Sequence, residues 1–317
     1  MEWTIGIDIG GTKIEIAAVD SDGNIIESIL CYTNVKGGPQ AIVSEIVTAI
    51  KKLQQTISTP CKAVGIGMAG QIEAETGIVH FAPNLYWHDF PLKEKIESKL
   101  KLPVFVTNDV RAATWGEWLH GAGKNCNNLV CMFVGTGIGG GIVINNRIVE
   151  GASNTAGEIG HMIVDINGPI CTCGNRGCLE ALAGGWGIEQ RAEEAVKKHP
   201  VEGQKLLHLS SDGTITPKHV FQAYYEGDPL AKHLVDNITN ALIAGAISIV
   251  HAFNPEKLIL GGGIINGLPE LVDWIREGVL QFALSAATTN LHIVPAELQH
   301  NAGSIGAATY ALKQVGR

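Results

Sequence analysis

The sequence predicts an α/β protein built from two domains that flank a cleft. Its 317 residues, 45% of them hydrophobic, are enough to bury two separate cores. A layout of strand, glycine turn and strand also occurs twice, over Ile5–Val19 and over Leu129–Ile144, which indicates two related halves. Short apolar strands alternate with helical stripes around these segments, a pattern typical of sheets covered by helices.

The first predicted domain, residues 1–115, begins with an antiparallel meander. Alternating apolar residues separated by turns predict its three strands, Trp3–Ile9, Lys13–Val19 and Asn24–Cys31. The patterns that follow predict a helix over Pro39–Gln55, a strand over Ala63–Met68, a helix over Pro91–Leu100 and a strand over Val104–Val106. Polar residues at the ends of such strands lie where clefts form in open sheets.

The second predicted domain, residues 116–302, starts in the same way. Its strand Leu129–Val134 leads into a glycine turn over Gly135–Gly141, and a short strand follows at Ile142–Ile144. Helical patterns cover 185–199 and 217–254, and the strand Lys257–Leu260 leads into three glycines. A helix over 303–317 is rich in Ala and Gly, so we expect it to pack closely back on the first domain.

Composition and charge argue against several classes of partner. The formal net charge is −8, and no run of Lys and Arg is longer than two residues, which argues against a nucleic-acid partner. The apolar stretch Ala241–Phe253 is too short and too interrupted to span a membrane. Seven cysteines, an odd number, and an N-terminus without a leader pattern indicate reduced thiols and a cytoplasmic location. A small molecule is the expected partner.

Glycine turns predict a nucleotide site. In the first turn, Asp8 stands near the end of a strand and is followed by Gly10, Gly11, Thr12 and Lys13. Glycines leave backbone N–H groups free to face phosphate oxygens, and the hydroxyl and ammonium groups add donors. Asp8 would hold magnesium through water. An ordinary hairpin turn is the alternative explanation of the same glycines.

Two further glycine segments strengthen the nucleotide interpretation. The second turn, Gly135, Thr136 and Gly137, would hold the β- and γ-phosphates from the opposite side of the cleft. A third segment, Gly261, Gly262 and Gly263, would let the nucleoside approach the backbone closely. The spacing of a Walker loop is absent, so the interpretation depends on the three segments together.

Several polar side chains are candidates for the chemistry. Asp109, beside Asn108 at the end of a strand, is suited to hold a sugar hydroxyl and take its proton during phosphoryl transfer. Capping of the following helix is the alternative for both residues. Glu158, His161 and Glu180 would supply further hydroxyl contacts.

The segment Gly157–Glu180 is predicted to be organised by a metal. Cys171, Cys173 and Cys178 stand two and five residues apart, with glycines that allow tight turns, and His161 could be a fourth ligand. Three thiolates and one imidazole make the closed tetrahedral shell of a structural zinc ion. A disulfide, or apolar core positions for the cysteines, are the alternatives.

These segments resemble the ROK family of bacterial sugar kinases and repressors over nearly the whole chain. The resemblance rests on Ile5–Lys13, Asn108–Asp109, Gly135–Gly140, Gly157–His161 and, most specifically, Cys171–Glu180. It implies an actin-like ATPase (ribonuclease H-like) fold of two α/β domains, with ATP and Mg2+ at the glycine turns. It also implies phosphorylation of a hexose at its 6-hydroxyl.

The resemblance further implies a role for each matching residue. Asp109 would be the general base. The sugar hydroxyls would be held by Asn108, Glu158, His161 and Glu180, and the sugar pocket would also be lined by Gly70 and by Asn84, for which turn formation is the alternative. A structural Zn2+ would be bound by His161, Cys171, Cys173 and Cys178. Ala183 stands where the family often has a serine, which affects none of these ligands.

Glucose is the expected substrate, with N-acetylglucosamine, N-acetylmannosamine and fructose as alternatives, because these sugars share the hydroxyls that would be held. A repressor of the family would need a DNA-binding domain, and the turn at Gly10 leaves no room ahead of it for a helix-turn-helix. A sugar sensor without catalysis would tolerate loss of Asp8 or Asp109, yet both are present. A homodimer or homotetramer is expected.

Overall fold

The computed structural model describes residues 2–210 and 213–316. The first elements in chain order are β1 (Trp3–Ile9), β2 (Lys13–Asp20), β3 (Ile25–Tyr32), α1 (Gly38–Thr56), β4 (Val64–Met68), β5 (Gln71–Glu73), β6 (Ile78–Ala82), β7 (Trp87–Pro91), α2 (Leu92–Leu100), β8 (Val104–Asn108) and α3 (Asp109–His120). They are followed by β9 (Leu129–Val134), β10 (Ile138–Ile144), β11 (Arg147–Ile148), α4 (Leu179–Ala183), α5 (Gly185–Lys198), α6 (Gln204–Leu209), α7 (Pro217–Tyr225), α8 (Pro229–Phe253), β12 (Lys257–Gly261), α9 (Gly263–Gly267), α10 (Leu271–Phe282), α11 (Ser285–Thr288), β13 (His292–Pro295) and α12 (Ala302–Val315).

The chain divides into two compact units. The first comprises Met1–Asn125, Ile148–Ala156 and Glu297–Arg317, and the second comprises Cys126–Arg147 and Gly157–Ala296. The boundary predicted at 115/116 falls inside α3, where a Cβ on Gly116 would lie 2.7 Å from the carbonyl oxygen of Ala302. The whole of α3 therefore stays with the first unit, as does α12, which corresponds to the predicted helix over 303–317. Residue 317 lies outside the described residues.

The first unit contains a five-stranded sheet in the order β3-β2-β1-β4-β8. Strand β1 is antiparallel to β2 and parallel to β4, and β4 is parallel to β8. Apolar side chains on one face of this sheet pack against α1, whose Ile42, Ile46 and Ile50 are fully buried because they recur at helical spacing. This core explains why the predicted elements of the meander and of the helix over 39–55 are present.

Helix α12 lies directly on the same sheet. A Cβ on Gly6 would come within 1.8 Å of the carbonyl oxygen of Ser304, and a Cβ on Gly65 would come equally close to that of Ala307. Glycine is therefore required at these positions of β1 and β4, because any side chain would displace the helix. Helix α12 therefore lies in the core of the first unit, against α3, β1 and β4.

The second unit repeats the topology of the first. Its five-stranded sheet has the order β11-β10-β9-β12-β13, with β9 antiparallel to β10 and parallel to β12, and with β12 parallel to β13. These pairings match those of β1, β2, β4 and β8. The two related halves predicted from the repeated strand, glycine turn and strand layout are confirmed.

Three details differ from the predicted elements. The glycine turn was expected to extend to Gly141, but β10 already begins at Ile138, and Gly139–Gly141 pair with β9. Gly140 serves packing, since a Cβ there would lie 2.6 Å from the side chain of Ile159. The helical pattern over 217–254 is two helices, α7 and α8, separated at Gly227, which has φ +80°. The three-stranded sheet of β5, β6 and β7 was not predicted.

Helix α8 is long and apolar enough to cross a membrane by length and composition alone, and an 18-residue stretch of it has a mean hydropathy of 1.3. Half of that stretch is buried inside the protein, and the helix contacts α4, α7 and α10. These contacts are those expected of the core helix of a soluble domain.

Candidate active-site residues and metal cluster

The first glycine turn connects β1 to β2. The backbone N–H of Gly10 donates to the carbonyl oxygen of Lys13 over 2.9 Å, and the hydroxyl of Thr33 donates to the carbonyl oxygen of Gly10 over 2.7 Å. Gly11, Thr12 and Lys13 are exposed. The turn is therefore a tight hairpin that also presents backbone, hydroxyl and ammonium groups to solvent, which is what a phosphate-binding turn needs.

Asp8 is half-buried next to this turn in an acidic environment. Its pKa is raised to about 7, mainly by removal of the carboxyl group from water and additionally by the nearby carboxylates of Asp109 and Glu15. Glu15 lies opposite Asp8 in the β1–β2 pair. A Cβ on Gly303 would be 2.5 Å from Asp8 Oδ2, so the first turn of α12 closes over the carboxylate. Carboxylate oxygens that repel one another in this way form the donor set that Mg²⁺ prefers.

Asn108 and Asp109 mark the end of β8 and the start of α3. Asn108 Oδ1 accepts a hydrogen bond of 3.1 Å from the backbone N–H of Arg111, so the capping role weighed from the sequence is present for Asn108. Asp109 is the first residue of the helix, where the helix dipole favours a carboxylate. Asp109 also lies close enough to Asp8 to raise the pKa of that carboxyl group, a proximity that sequence spacing could not show.

Two further predicted residues of the first unit lie in the connection between β4 and β8. Gly70 has φ +147°, and a Cβ there would lie 2.5 Å from the carbonyl oxygen of Phe81, so glycine is required for the chain to enter the small sheet. Asn84 lies in the short turn between β6 and β7, and a Cβ on Gly11 would lie 3.4 Å from the Cβ of Asn84. Asn84 is therefore next to the first glycine turn.

Sequence patterns gave no indication of the contacts of Arg111. This buried guanidinium donates to the side-chain oxygen of Asn154 and, over 3.0 Å, to its backbone carbonyl. Asn154 in turn donates to the carbonyl oxygen of Ile72. Arg111 therefore attaches the segment Ile148–Ala156 to the helix that begins with Asp109.

The second glycine turn connects β9 to β10 and is held on two sides. The backbone N–H groups of Gly185 and Trp186, at the start of α5, donate to the carbonyl oxygens of Gly135 and Thr136 over 2.8 and 3.1 Å. On the other side, Glu180 Oε2 accepts a hydrogen bond of 2.7 Å from the backbone N–H of Ile138. The turn is therefore fixed by the segment that follows the cysteine loop.

The third glycine segment borders a cavity of about 430 Å³. Gly262 has φ +95°, and a Cβ there would lie 2.4 Å from the carbonyl oxygen of Val134, so the segment lies against β9. Gly263 begins α9 and faces open space. The cavity is lined by Pro217, Lys218, Phe221, Gln222, Tyr225, Glu226, Gly263, Ile264 and Gly267. Its apolar walls and polar rim are typical of a pocket for a flat ring. The contribution of α7 was not predicted, because it lies about forty residues from the glycines in the sequence.

The remaining predicted sugar ligands, Glu158, His161 and Glu180, all belong to the second unit. Glu158 immediately precedes the short helical turn Ile159–His161, which packs against β10. Glycine is required at Gly160 because a Cβ there would lie 2.1 Å from the carbonyl oxygen of Ile138. Glu180 is the second residue of α4 and already accepts hydrogen bonds from Ile138 and Trp186.

The four predicted metal ligands converge. One ligand atom from each of His161, Cys171, Cys173 and Cys178 lies within 4.8 Å of the others. Cys171 Sγ is 3.7 Å from His161 Nδ1, and Cys173 Sγ is 3.7 Å from Cys178 Sγ. A tetrahedral ion with metal–sulfur bonds of about 2.3 Å requires sulfurs about 3.8 Å apart, so the cluster fits zinc. All seven cysteines are free thiols, which removes the disulfide alternative.

The approach of Cys171 to Nδ1 of His161 has a consequence for the ring. With Nδ1 directed at the sulfurs, Nε2 is the nitrogen left to contact a ligand outside the cluster. The ring geometry therefore permits one histidine to contact both a metal and a sugar hydroxyl, the two roles that the family resemblance implied for His161.

A family model described as the ROK family matches residues 4–314, and the chain belongs to that family. The glucokinase of Halalkalibacterium halodurans is 37% identical over 308 residues, covering 96% of this chain and 93% of that protein. A crystal structure of a ROK family glucokinase from Streptomyces griseus, in complex with glucose and AMPPNP, has a TM-score of 0.81 and 35% identity and covers 98% of this chain and 99% of the other. The xylose repressor of Bacillus subtilis is 31% identical, covering 98% of this chain and 77% of the repressor.

These similarities define the fold class. The repeated five-stranded sheets and the structural match identify an actin-like ATPase fold of two α/β domains, as the resemblance implied. Within that class, the likeness to glucokinases extends over nearly the full length of both chains.

Proposed function

We propose that this protein is a sugar kinase that transfers the γ-phosphoryl group of ATP to the 6-hydroxyl of glucose. The observation that carries the proposal is the likeness to glucokinases at 35–37% identity over nearly the whole chain, together with a structural neighbour that holds glucose and an ATP analogue. The residues of each unit supply groups suited to that reaction.

Asp109 is the proposed general base. Phosphoryl transfer needs mainly alignment and neutralisation of charge, and a carboxylate that accepts the hydroxyl proton orients the attacking oxygen. Asp109 begins a helix fixed by the cap at Asn108, so its backbone position is well defined. Asp109 also lies close enough to Asp8 for its carboxylate to raise the pKa of Asp8, so the two carboxyl groups share one acidic region.

The proposed nucleotide groups are divided between the units. Gly10–Lys13 in the first unit and Gly135–Gly137 in the second would contact phosphates through backbone N–H groups. The cavity between α7 and α9, next to Gly263, is the proposed pocket for the base. When bound, magnesium would neutralise phosphate charge, and Asp8 is the side chain that would hold it through water.

The hexose hydroxyls are proposed to be held by Asn84, Asn108, Glu158, His161 and Glu180, with Gly70 beside them. The zinc ion would be structural, because four protein ligands leave no open coordination position. It would fix the ring of His161 and the start of α4, which carries Glu180.

A coupled kinase assay over a panel of hexoses tests the proposal. ADP release should depend on added sugar, and glucose should give the highest kcat/KM among glucose, N-acetylglucosamine, N-acetylmannosamine and fructose. A higher kcat/KM for an N-acetylated sugar would reassign the substrate. Release of ADP that is independent of every sugar would contradict the proposed activity.

A sugar-responsive regulator is the second candidate, because the chain is also 31% identical to a xylose repressor. Sugar binding without sugar-dependent ADP release would favour it. For the kinase, we propose a cytoplasmic homodimer or homotetramer whose partners are hexose and ATP rather than nucleic acid or membrane.

A further inference from the structure

One contact in the second unit joins a proposed sugar ligand to the second glycine turn. Glu180 Oε2 accepts a hydrogen bond from the backbone N–H of Ile138, 2.7 Å away, and Ile138 directly follows Gly137. Glu180 Oε1 accepts a second hydrogen bond of 3.1 Å from the indole Nε1 of Trp186. Both carboxylate oxygens therefore have protein donors before any sugar is considered.

The approach of Glu180 to the turn is close. A Cβ on Gly137 would lie 2.4 Å from Glu180 Oε2, so a side chain at this position would displace the carboxylate. A Cβ on Gly184 would lie 2.7 Å from the carbonyl oxygen of Glu180. The glycines of this region thus allow α4 and the start of α5 to enclose the turn.

The backbone of the second glycine turn is fixed by hydrogen bonds as well as by this close packing. The N–H groups of Gly185 and Trp186 hold its carbonyl oxygens, and Glu180 holds the N–H group that follows it. Phosphate binding by a glycine turn depends on the direction of its backbone N–H groups, so the groups that fix the backbone also set its affinity for phosphate.

We propose that Glu180, oriented by Trp186, is a positioning residue for the second phosphate turn in addition to its contact with the hexose. The inference rests on the proposed function, since it concerns the ATP-binding turn of that same site. It predicts that nucleotide affinity depends on Glu180 even when no sugar is present. One carboxylate then links hexose binding to the geometry of the nucleotide turn.

The test is the affinity of Glu180→Gln for MgADP, measured by calorimetry in the absence of sugar. The amide has a single acceptor oxygen, so it cannot accept from both Ile138 and Trp186, and its NH2 group would face a donor. We expect MgADP affinity to fall about 5- to 10-fold, as for the loss of one typical hydrogen bond. An affinity within twofold of wild type, with a raised KM for glucose, would show a hexose ligand only and overturn the proposal.

Trp186→Phe is the matched variant. It removes the indole N–H group but keeps an aromatic ring against Cys171, Cys178 and Ala181. Because the bond from Ile138 remains, we expect a smaller loss of MgADP affinity, about 2- to 4-fold, with the zinc content unchanged. If Glu180→Gln does not fold, unchanged MgADP affinity in Trp186→Phe would overturn the proposal.

The wild-type protein separates this inference from the proposed function. If it phosphorylates glucose but the variants bind MgADP normally, only the positioning role is refuted. If the wild-type protein neither binds MgADP nor phosphorylates a hexose, the proposed function is refuted and the inference with it.

Discussion

The two halves of the molecule share one strand order but surround their glycine turns differently. The second-last residue of β1 is Asp8, opposite Glu15, whereas the second-last residue of β9 is Phe133, opposite Gly139. In the first half, half-buried carboxylates lie beside the turn; in the second half, an aromatic ring occupies the same place and packs against Gly261. The comparison teaches that a repeated topology fixes where a turn lies, while side chains decide what it binds.

The insertions of the two halves differ as well. Between β4 and β8 the first half carries the small sheet of β5, β6 and β7 and the helix α2. Between β11 and β12 the described residues of the second half form the cysteine loop and five helices. The first half therefore concentrates acidic groups at strand ends, and the second supplies the metal cluster and the cavity beside α9. The predictions below test this division of roles.

The largest effect is expected for Asp109→Asn. Loss of a general base typically lowers turnover by about 10²- to 10⁴-fold, and the amide can still occupy the first position of α3. We expect kcat to fall by that factor in the coupled assay, while the unfolding temperature stays close to that of wild type. Near-normal turnover would show that Asp109, and with it the first half, does not supply the general base.

Cys173→Ala should have the next largest effect. Cys173 is the exposed member of the metal cluster, and its loss leaves three ligands. We expect zinc content to fall close to zero and the KM for glucose to rise about 10- to 100-fold, because the metal fixes His161 and the start of α4. Zinc is measured by elemental analysis of the purified protein.

Cys31→Ala is the control for that prediction, because Cys31 lies in β3 and outside the cluster. It should leave zinc content and KM unchanged. Normal glucose affinity in zinc-free Cys173→Ala protein would show that the metal does not support the sugar ligands.

Asp8→Asn should change the pH dependence of stability. The pKa of Asp8 is raised from 3.8 to about 7 in the folded protein, so the folded state binds more protons than the unfolded state between these values. Asp8 therefore costs stability that grows as pH rises from about 4 through 7. Without magnesium or nucleotide, Asp8→Asn should be more stable than wild type at pH 8, by about 2–4 kcal/mol, and should show little difference at pH 4.

Unfolding temperatures of both proteins across this pH range test the prediction. A stability difference that does not change with pH would mean that the pKa of Asp8 is not raised in the folded protein. Lower stability of Asp8→Asn than of wild type at pH 8 would contradict the predicted direction.

Much of the fold could be predicted because local pattern and burial agree. Strands β1, β2, β9 and β12 and helix α1 follow from apolar periodicity, and the cysteine cluster follows from spacing and thiolate chemistry. The small sheet of β5–β7 could not be predicted, because its strands are three to five residues long and lie among turn formers. Gly139–Gly141 were assigned to a turn because the packing partner of Gly140, Ile159, lies about twenty residues away and the pairing with β9 has no local signature.

The metal cluster was predictable because one segment carries all four of its ligands, whereas contacts between distant segments were not predictable. Three such contacts join residues that are far apart in the sequence. Phe221 and Tyr225 line the cavity beside Gly263, Asn84 lies close to Gly11, and Arg111 donates to Asn154. Likewise, Glu180 was predicted from the sequence to be a sugar ligand, but nothing in the sequence indicated its hydrogen bond to Ile138. Such contacts depend on tertiary packing, which has no signature in local periodicity.

The most direct measurement is ³¹P NMR of the products formed from ATP and glucose by wild-type protein and by Asp109→Asn, side by side. We predict glucose 6-phosphate and ADP in equal amounts from the wild-type protein, and at least 100-fold slower formation with the variant. Absence of a sugar phosphate with the wild-type protein, or equal rates for the two proteins, would contradict the account.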